Sequence, residues 1–121
     1  MRQKRSRIQN EVFNLLNTEL HIDTNHQTNK KFLGPLVYLD IIEEGMIKNK
    51  NAHEMALLIA MEYWTGILNR QMEGGVKEAK LLKPNILVFL DKSISSGKLN
   101  SGSKIKVKEM LDGYSERFKL N

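Results

Sequence analysis

Residues 51–75 read NAHEMALLIAMEYWTGILNRQMEGG. Ala52, Met55, Ala56, Leu57, Leu58, Ile59, Ala60, Met61, Tyr63, Trp64, Ile67 and Leu68 occupy most of the circumference of a helix, not a single stripe. A helix that is apolar nearly all round has no side it can leave in water, so other elements must enclose it. Asn51 followed three residues later by Glu54 forms a capping pair at its start, and Gly74-Gly75 supply a stop. The stretch predicts a central helix over 51–72 and with it an all-α fold, a single compact bundle of about five helices.

The neighbours of this helix follow from their own periodicity. Upstream, Ile8, Val12, Leu15, Leu16 and Leu20 recur at the spacing of an amphipathic helix. Ser6 and Gln9 have the spacing of a capping box at its start. That leaves 1–5 as a basic arm and 6–121 as one helical domain. Residues 23–31 contain no apolar side chain and are expected to form a solvated, mobile loop. A helix is expected from Pro35, the favoured first position, to a stop at Gly45. Downstream, a short segment over 76–83 leads to Pro84, a further helix ends near Gly97, and a last helix starts near Ser103. Its buried stripe is read as Ile105, Met110, Leu111, Tyr114 and Phe118. The segment between, 95–104, is rich in Ser, Gly, Asn and Lys and reads as flexible.

Leu36-Val37-Tyr38-Leu39-Asp40 and Leu87-Val88-Phe89-Leu90-Asp91 share a pattern, as a duplicated helix pair would produce and as chance recurrence of apolar runs also would. The same two runs carry the alternative fold, α+β with short strands at 36–42 and 86–90, because short runs of Val, Ile, Tyr and Phe also suit buried strands. The proline opening each run and the distance to the next glycine favour helix.

Composition narrows the chemistry. A chain of 121 residues buries roughly two-thirds of its unfolded surface, so it folds without a metal or a disulfide. Cysteine is absent, which removes thiol catalysis, thiolate zinc sites and disulfide frameworks and points to a cytoplasmic location. No apolar run has the length of a signal sequence core or a membrane span. Phosphate-binding glycine motifs are missing. Glu43 and Glu44 are adjacent and diverge by about 100° on a helix, so they cannot share a proton. His21, Asp23, His26 and His53 are possible metal ligands, but their loop spacing defines no site. No metal, no cofactor and no catalytic constellation are therefore expected, and the chain reads as non-enzymatic. Trp64 and most of the methionines read as core.

The formal net charge of +5 hides a segregation. Residues 1–7 carry Arg2, Lys4, Arg5 and Arg7 and no acid; 8–76 carry five basic and nine acidic side chains; 77–121 carry ten basic and five acidic. Lys48 and Lys50 precede the central helix, and Lys98, Lys104, Lys106 and Lys108 surround the start of the last. Cations are disfavoured by about 0.3–1 kcal/mol each at a helix start, a cost that a docked anion reverses. The leading expectation is a nucleic-acid-binding or regulatory accessory protein that contacts DNA or RNA phosphates through Arg2, Lys4, Arg5, Arg7, Lys98, Lys104, Lys106 and Lys108. The alternative is a protein-interaction module whose basic ends meet an acidic protein partner. Apolar surplus on the central helix also allows a homodimer, and no membrane association is expected.

Overall fold

The computed structural model describes residues 6–121; the basic arm read over 1–5 lies outside the described residues. Five helices follow in order: α1 (Arg7–Thr18), α2 (Pro35–Ile47), α3 (Ala52–Asn69), α4 (Gly75–Ser95) and α5 (Gly102–Arg117), and no strand occurs among the described residues. The all-α reading holds. Both candidate strands, 36–42 and 86–90, are interior turns of α2 and α4. Two such short runs alone would make a two-stranded sheet, which is marginal in water, whereas a helix satisfies their amides locally.

α3 is enclosed as its composition demands. Eleven of its residues are buried, among them Met55, Ile59, Tyr63, Trp64 and Ile67. Its start carries the expected reciprocal cap, with the Glu54 amide donating to Asn51 Oδ1 at 2.9 Å and the Asn51 amide to Glu54 Oε1 at 3.0 Å. Trp64 has no exposed surface, and its indole N–H donates to the Ala79 carbonyl of α4 at 2.9 Å. The first helix starts as read, since Ser6 and Gln9 form a complete capping box. Val12, Phe13 and Leu16 of α1 join one core cluster with Ile42 of α2, Ala79, Ile86 and Leu90 of α4, and Leu111 of α5.

Pro84 opens no helix. It lies in the tenth position of α4, which runs unbroken from Gly75 to Ser95. An interior proline costs about 3 kcal/mol through its missing amide and its clash with the preceding turn. Pro84 itself is solvent-exposed, while Leu82, Ile86, Phe89 and Leu90 around it are buried. Each such side chain contributes about 1.5–3 kcal/mol, so tertiary burial outweighs the break.

Two helix stops differ from the glycines chosen in the sequence, while the stop near Gly97 holds, since α4 ends at Ser95 and Gly97 takes left-handed backbone. α2 continues through Gly45 to Ile47, and α3 ends at Asn69, five residues before Gly74. The residues that take left-handed backbone after the helices are His21, Asn49, Gln71, Gly97 and Lys119. After α2 the Lys50 amide donates to the Gly45 carbonyl and the Asn49 amide to Met46, and the Ile67 and Leu68 carbonyls after α3 accept from Met72 and Gln71 in the same way. This is the Schellman arrangement. Gly45 serves packing instead: a Cβ there would stand 2.5 Å from Met55 Sδ and 2.7 Å from its Cγ.

Two segments read as mobile are tied down. Asn29, buried, donates through Nδ2 to the Asp23 carbonyl and to the Tyr63 hydroxyl, which in turn donates to the Glu78 carboxylate. Lys31 lies 3.7 Å from Glu78, and Phe32 stacks on Tyr38 at 4.2 Å between centroids. The α4–α5 connection is held by buried Leu99 and by Asn51, whose Nδ2 donates to the Lys98 carbonyl at 2.9 Å.

Of the stripe read for α5, Leu111 is buried and Tyr114 and Phe118 pack partly buried against the core, but Ile105 and Met110 do not turn inward. Val107, Leu111 and Ser115 are buried, whereas Ile105 is 64% and Met110 45% exposed. Lys104 pairs with Asp91 at 2.6 Å, Lys83 Nζ bonds Ser115 Oγ at 2.8 Å, and Tyr114 meets Trp64 at 5.7 Å. These contacts set the rotation of α5 on α4 and leave its outer apolar residues uncovered.

Pro84→Ala is expected to raise unfolding stability by about 2 kcal/mol, the helix penalty less the entropy proline removes from the unfolded chain. Urea denaturation checks it, and an unchanged midpoint means that Pro84 costs nothing in α4. Gly45→Ala is expected to lower stability by about 1–3 kcal/mol through overpacking against Met55 despite the better helix propensity. Gly113→Ala, with nothing within 4 Å of its Cβ position, is expected to raise it by about 0.5–1 kcal/mol.

Candidate interaction surface

The residues proposed from sequence for anion contact do not form one patch. Arg2, Lys4 and Arg5 lie outside the described residues. Arg7 is exposed as the first residue of α1. Lys104 is engaged by Asp91. Lys104 and Lys108 share a face of α5, but Lys106 is rotated by about 200° from Lys104 and lies on the other flank.

The actual helix ends change the electrostatic argument. Lys48 is the C-cap of α2 and pairs with Glu44 at 2.7 Å. Lys98 follows the last turn of α4, its amide donating to the Ser93 carbonyl. Both therefore stand where a helix dipole favours cations. The start of α3, which Lys48 was read as crowding, already has its cap. At α5 the Asn100 side chain takes the Gly102 amide at 2.7 Å. Among the described residues, Arg7 of α1 and Lys104 and Lys106 of α5 remain in the first turns of a helix without an acid there.

What the fold does bring together is Lys50 from the α2–α3 connection and Lys106 from α5. They rim a hollow of about 320 Å³ between α3 and α5, lined by Leu57, Leu58, Met61, Ser103, Val107 and Met110. A second hollow of about 390 Å³ lies between α2 and α3, lined by Ile41, Glu44, Gly45, Lys48, Leu58 and Glu62 together with the same Lys50. Leu58 is therefore the ridge between them, 44% exposed and the one large apolar side chain of α3 that is not enclosed. The lining of the α3–α5 hollow contains no carboxylate, and Glu44 in the other is already bound to Lys48.

Leu58, Met110 and Lys50 were not among the sequence candidates. The signal for Leu58 was present: positions 54, 58, 62, 65 and 69 run along one line of the helix as Glu, Leu, Glu, Thr and Asn, the only polar line on α3. A leucine in that line is the residue that stays uncovered. Met110 carried no comparable signal, because its exposure depends on the rotation of α5.

A smaller hollow of about 230 Å³ is lined by Glu19, His53, Phe89, Lys92, Ser93 and Ser96. His53 stacks on Phe89 at 5.8 Å, and Lys92 lies 3.8 Å from Glu19. His53 is thus far from the role of partner to His21, Asp23 and His26. His26 Nδ1 is bound to the Phe32 carbonyl at 2.6 Å, and Asp23 is occupied by Thr28 and the Asn25 amide. Those loop bonds pull the Asp23 carboxyl below its usual range. Among the described residues no three His, Asp or Glu side chains are grouped as metal ligands.

No helix among the described residues is long and apolar enough to cross a membrane. No family model, curated protein or solved structure matches this chain.

Burial, and then the Lys98 charge, push the His53 imidazole below its ordinary 6.5, against the opposing pull of Glu19 and Glu11. The unfolded chain therefore takes up this proton first. Stability is complete above pH 6.5 and falls as pH drops through the folded-state value. His53→Gln is expected to flatten that part of the dependence, read as thermal midpoints between pH 7.5 and 5.5. Equal slopes in both proteins would remove His53 as its source.

Proposed function

We propose that this chain is a protein-interaction module that docks a partner surface carrying apolar side chains beside acidic ones. The observation that supports this is the α3–α5 hollow, where Leu57, Leu58, Met61, Val107 and Met110 form an apolar lining with Lys50 and Lys106 at the rim. Burying exposed Leu58 and Met110 supplies the drive, at about 25 cal/mol per Å² of apolar surface. The lysines select the sign of the partner and speed its approach. Methionine at two lining positions suits a surface that adapts to its ligand. A phosphate backbone would use the cations and leave the apolar lining in water, so nucleic-acid binding explains only half of this surface.

The test is an NMR titration of the labelled chain with four probes: a leucine- and glutamate-containing peptide, its lysine counterpart, a DNA duplex and a single-stranded RNA. The acidic peptide is expected to move the Leu58, Met61 and Met110 signals. Leu58→Glu and the pair Lys50→Glu, Lys106→Glu are each expected to weaken it tenfold or more, with the fold intact by circular dichroism. Tighter binding of either nucleic acid, with a steep salt dependence and no response to Leu58→Glu, overturns the proposal in favour of phosphate contact.

A further inference from the structure

Resting on that reading, we infer that the occupant is a single amphipathic α-helix of about three turns, laid across Leu58 in the lane between α2 and α5. The two hollows share Leu58 and Lys50, so they are two sides of one lane whose floor is α3. From Ala52 to Glu62 the lane follows α3 for roughly 15 Å at about 1.5 Å per residue. Its walls are Ile41 and Gly45 of α2 on one side and Val107 and Met110 of α5 on the other.

A single ridge flanked by two hollows is the negative of a helix surface. Rows of side chains at i and i+3 or i+4 drop on either side of Leu58, and Leu58 enters the groove between them, as helices pack in general. Other modes of peptide capture lack their requirements. An extended strand needs an open sheet edge, and the described residues contain no strand. A polyproline segment needs an aromatic-lined groove, and neither hollow has an aromatic lining residue.

Charge sets the composition of the occupant. Asn51 holds the Lys98 carbonyl ahead of α5 and Asn69 meets Tyr114 near its end, so α5 runs along α3 in the same direction. Lys106 in its second turn stands with Lys50 toward the start of α3, and exposed Glu62 stands toward the other end. The matching helix carries carboxylates over the lysines and a cation or neutral residue over Glu62. A second copy of this chain meets this demand poorly. Its exposed apolar side chains on α2, Leu36, Val37, Met46 and Ile47, sit at the two ends of that helix with exposed Asp40, Glu43 and Glu44 between them, and its α4 surface stripe, Leu81, Pro84 and Val88, is interrupted by proline.

Two peptides of fourteen residues and identical composition distinguish the outcomes. One places leucines at i, i+3, i+4 and i+7 with glutamates at one end; the other scrambles that order. The periodic peptide is expected to gain helical circular dichroism on mixing and to bind at least tenfold tighter. It is also expected to shift Ile41 and Met110 signals together, and Leu58→Glu abolishes these effects. Equal binding by the scrambled peptide overturns the helix and leaves the acidic–apolar docking reading standing. Shifts confined to the α3–α5 side overturn the bridging of Leu58. Binding by neither peptide overturns both readings. Sedimentation of the chain alone completes the set: a concentration-dependent dimer lost in Leu58→Glu makes a second copy the occupant and overturns the inference.

Discussion

The constraint that orders this molecule is that α3 cannot face water. Its side chains are apolar around most of the helix, so α1, α4, α2 and α5 are arranged by the surfaces it offers them. The Trp64 indole marks the tightest point. Its ring is fully buried and its one polar atom is satisfied by the Ala79 carbonyl, so α3 and α4 are fixed in register as well as in contact. Removing a buried tryptophan costs about 3–5 kcal/mol, comparable with the whole margin of a marginally stable domain. Tyr63, next along the helix, does the same for the 23–33 connection through Asn29 and Glu78. Burial and the neighbouring carboxylate both push its hydroxyl above the usual tyrosine range, so it remains a donor throughout the physiological range.

Short connections then decide where the charges fall. α2 and α3 are separated only by residues 48–51, so a lysine between them belongs electrostatically to both the end of one helix and the start of the next. The left-handed residue after each helix resolves this by turning the chain sharply. Lys48 stays with the C-terminal carbonyls of α2, and Asn51 and Glu54 cap α3 without a cation in the way. A pattern that looks self-repulsive along the sequence is therefore favourable in the fold. The surplus cations are those left outside such arrangements, and Lys50 and Lys106 are the two that share a hollow.

The fold class, the central helix and two of the caps were legible because each depends on residues within one or two turns. Ser6 with Gln9 and Asn51 with Glu54 need no distant partner to be recognised. Pro84 was misread because its local cost is real, and only the buried Leu82, Ile86 and Leu90 around it, a tertiary fact, outweigh that cost. Ile105 and Met110 were misread for the related reason that α5 has apolar residues on several faces. Which line turns inward depends on Asp91, Lys83 and Trp64, all outside α5. The interaction surface suffered most, since it is made where α2, α3 and α5 meet. Lys106 was named from charge alone, while Leu58 required asking which position on α3 the other helices leave uncovered.

That uncovered position has a physical consequence. A helix in the middle of a bundle has room for neighbours on all sides, and here α2 and α5 flank the Leu58 line without closing over it. Glu54 and Glu62 lie one turn before and after on the same line, Glu54 in the cap of α3 and Glu62 exposed. Replacing Leu58 by another polar residue would make the exposed strip uniformly hydrophilic at no cost to the enclosed faces. Keeping a leucine there leaves apolar surface in water in the free protein, a small cost that only a covering side chain recovers. The lysines at one end of the strip make that recovery selective, because a covering segment with cations at that end is repelled before its apolar residues reach Leu58. Selectivity by sign and affinity by burial thus reside in different residues of the same surface.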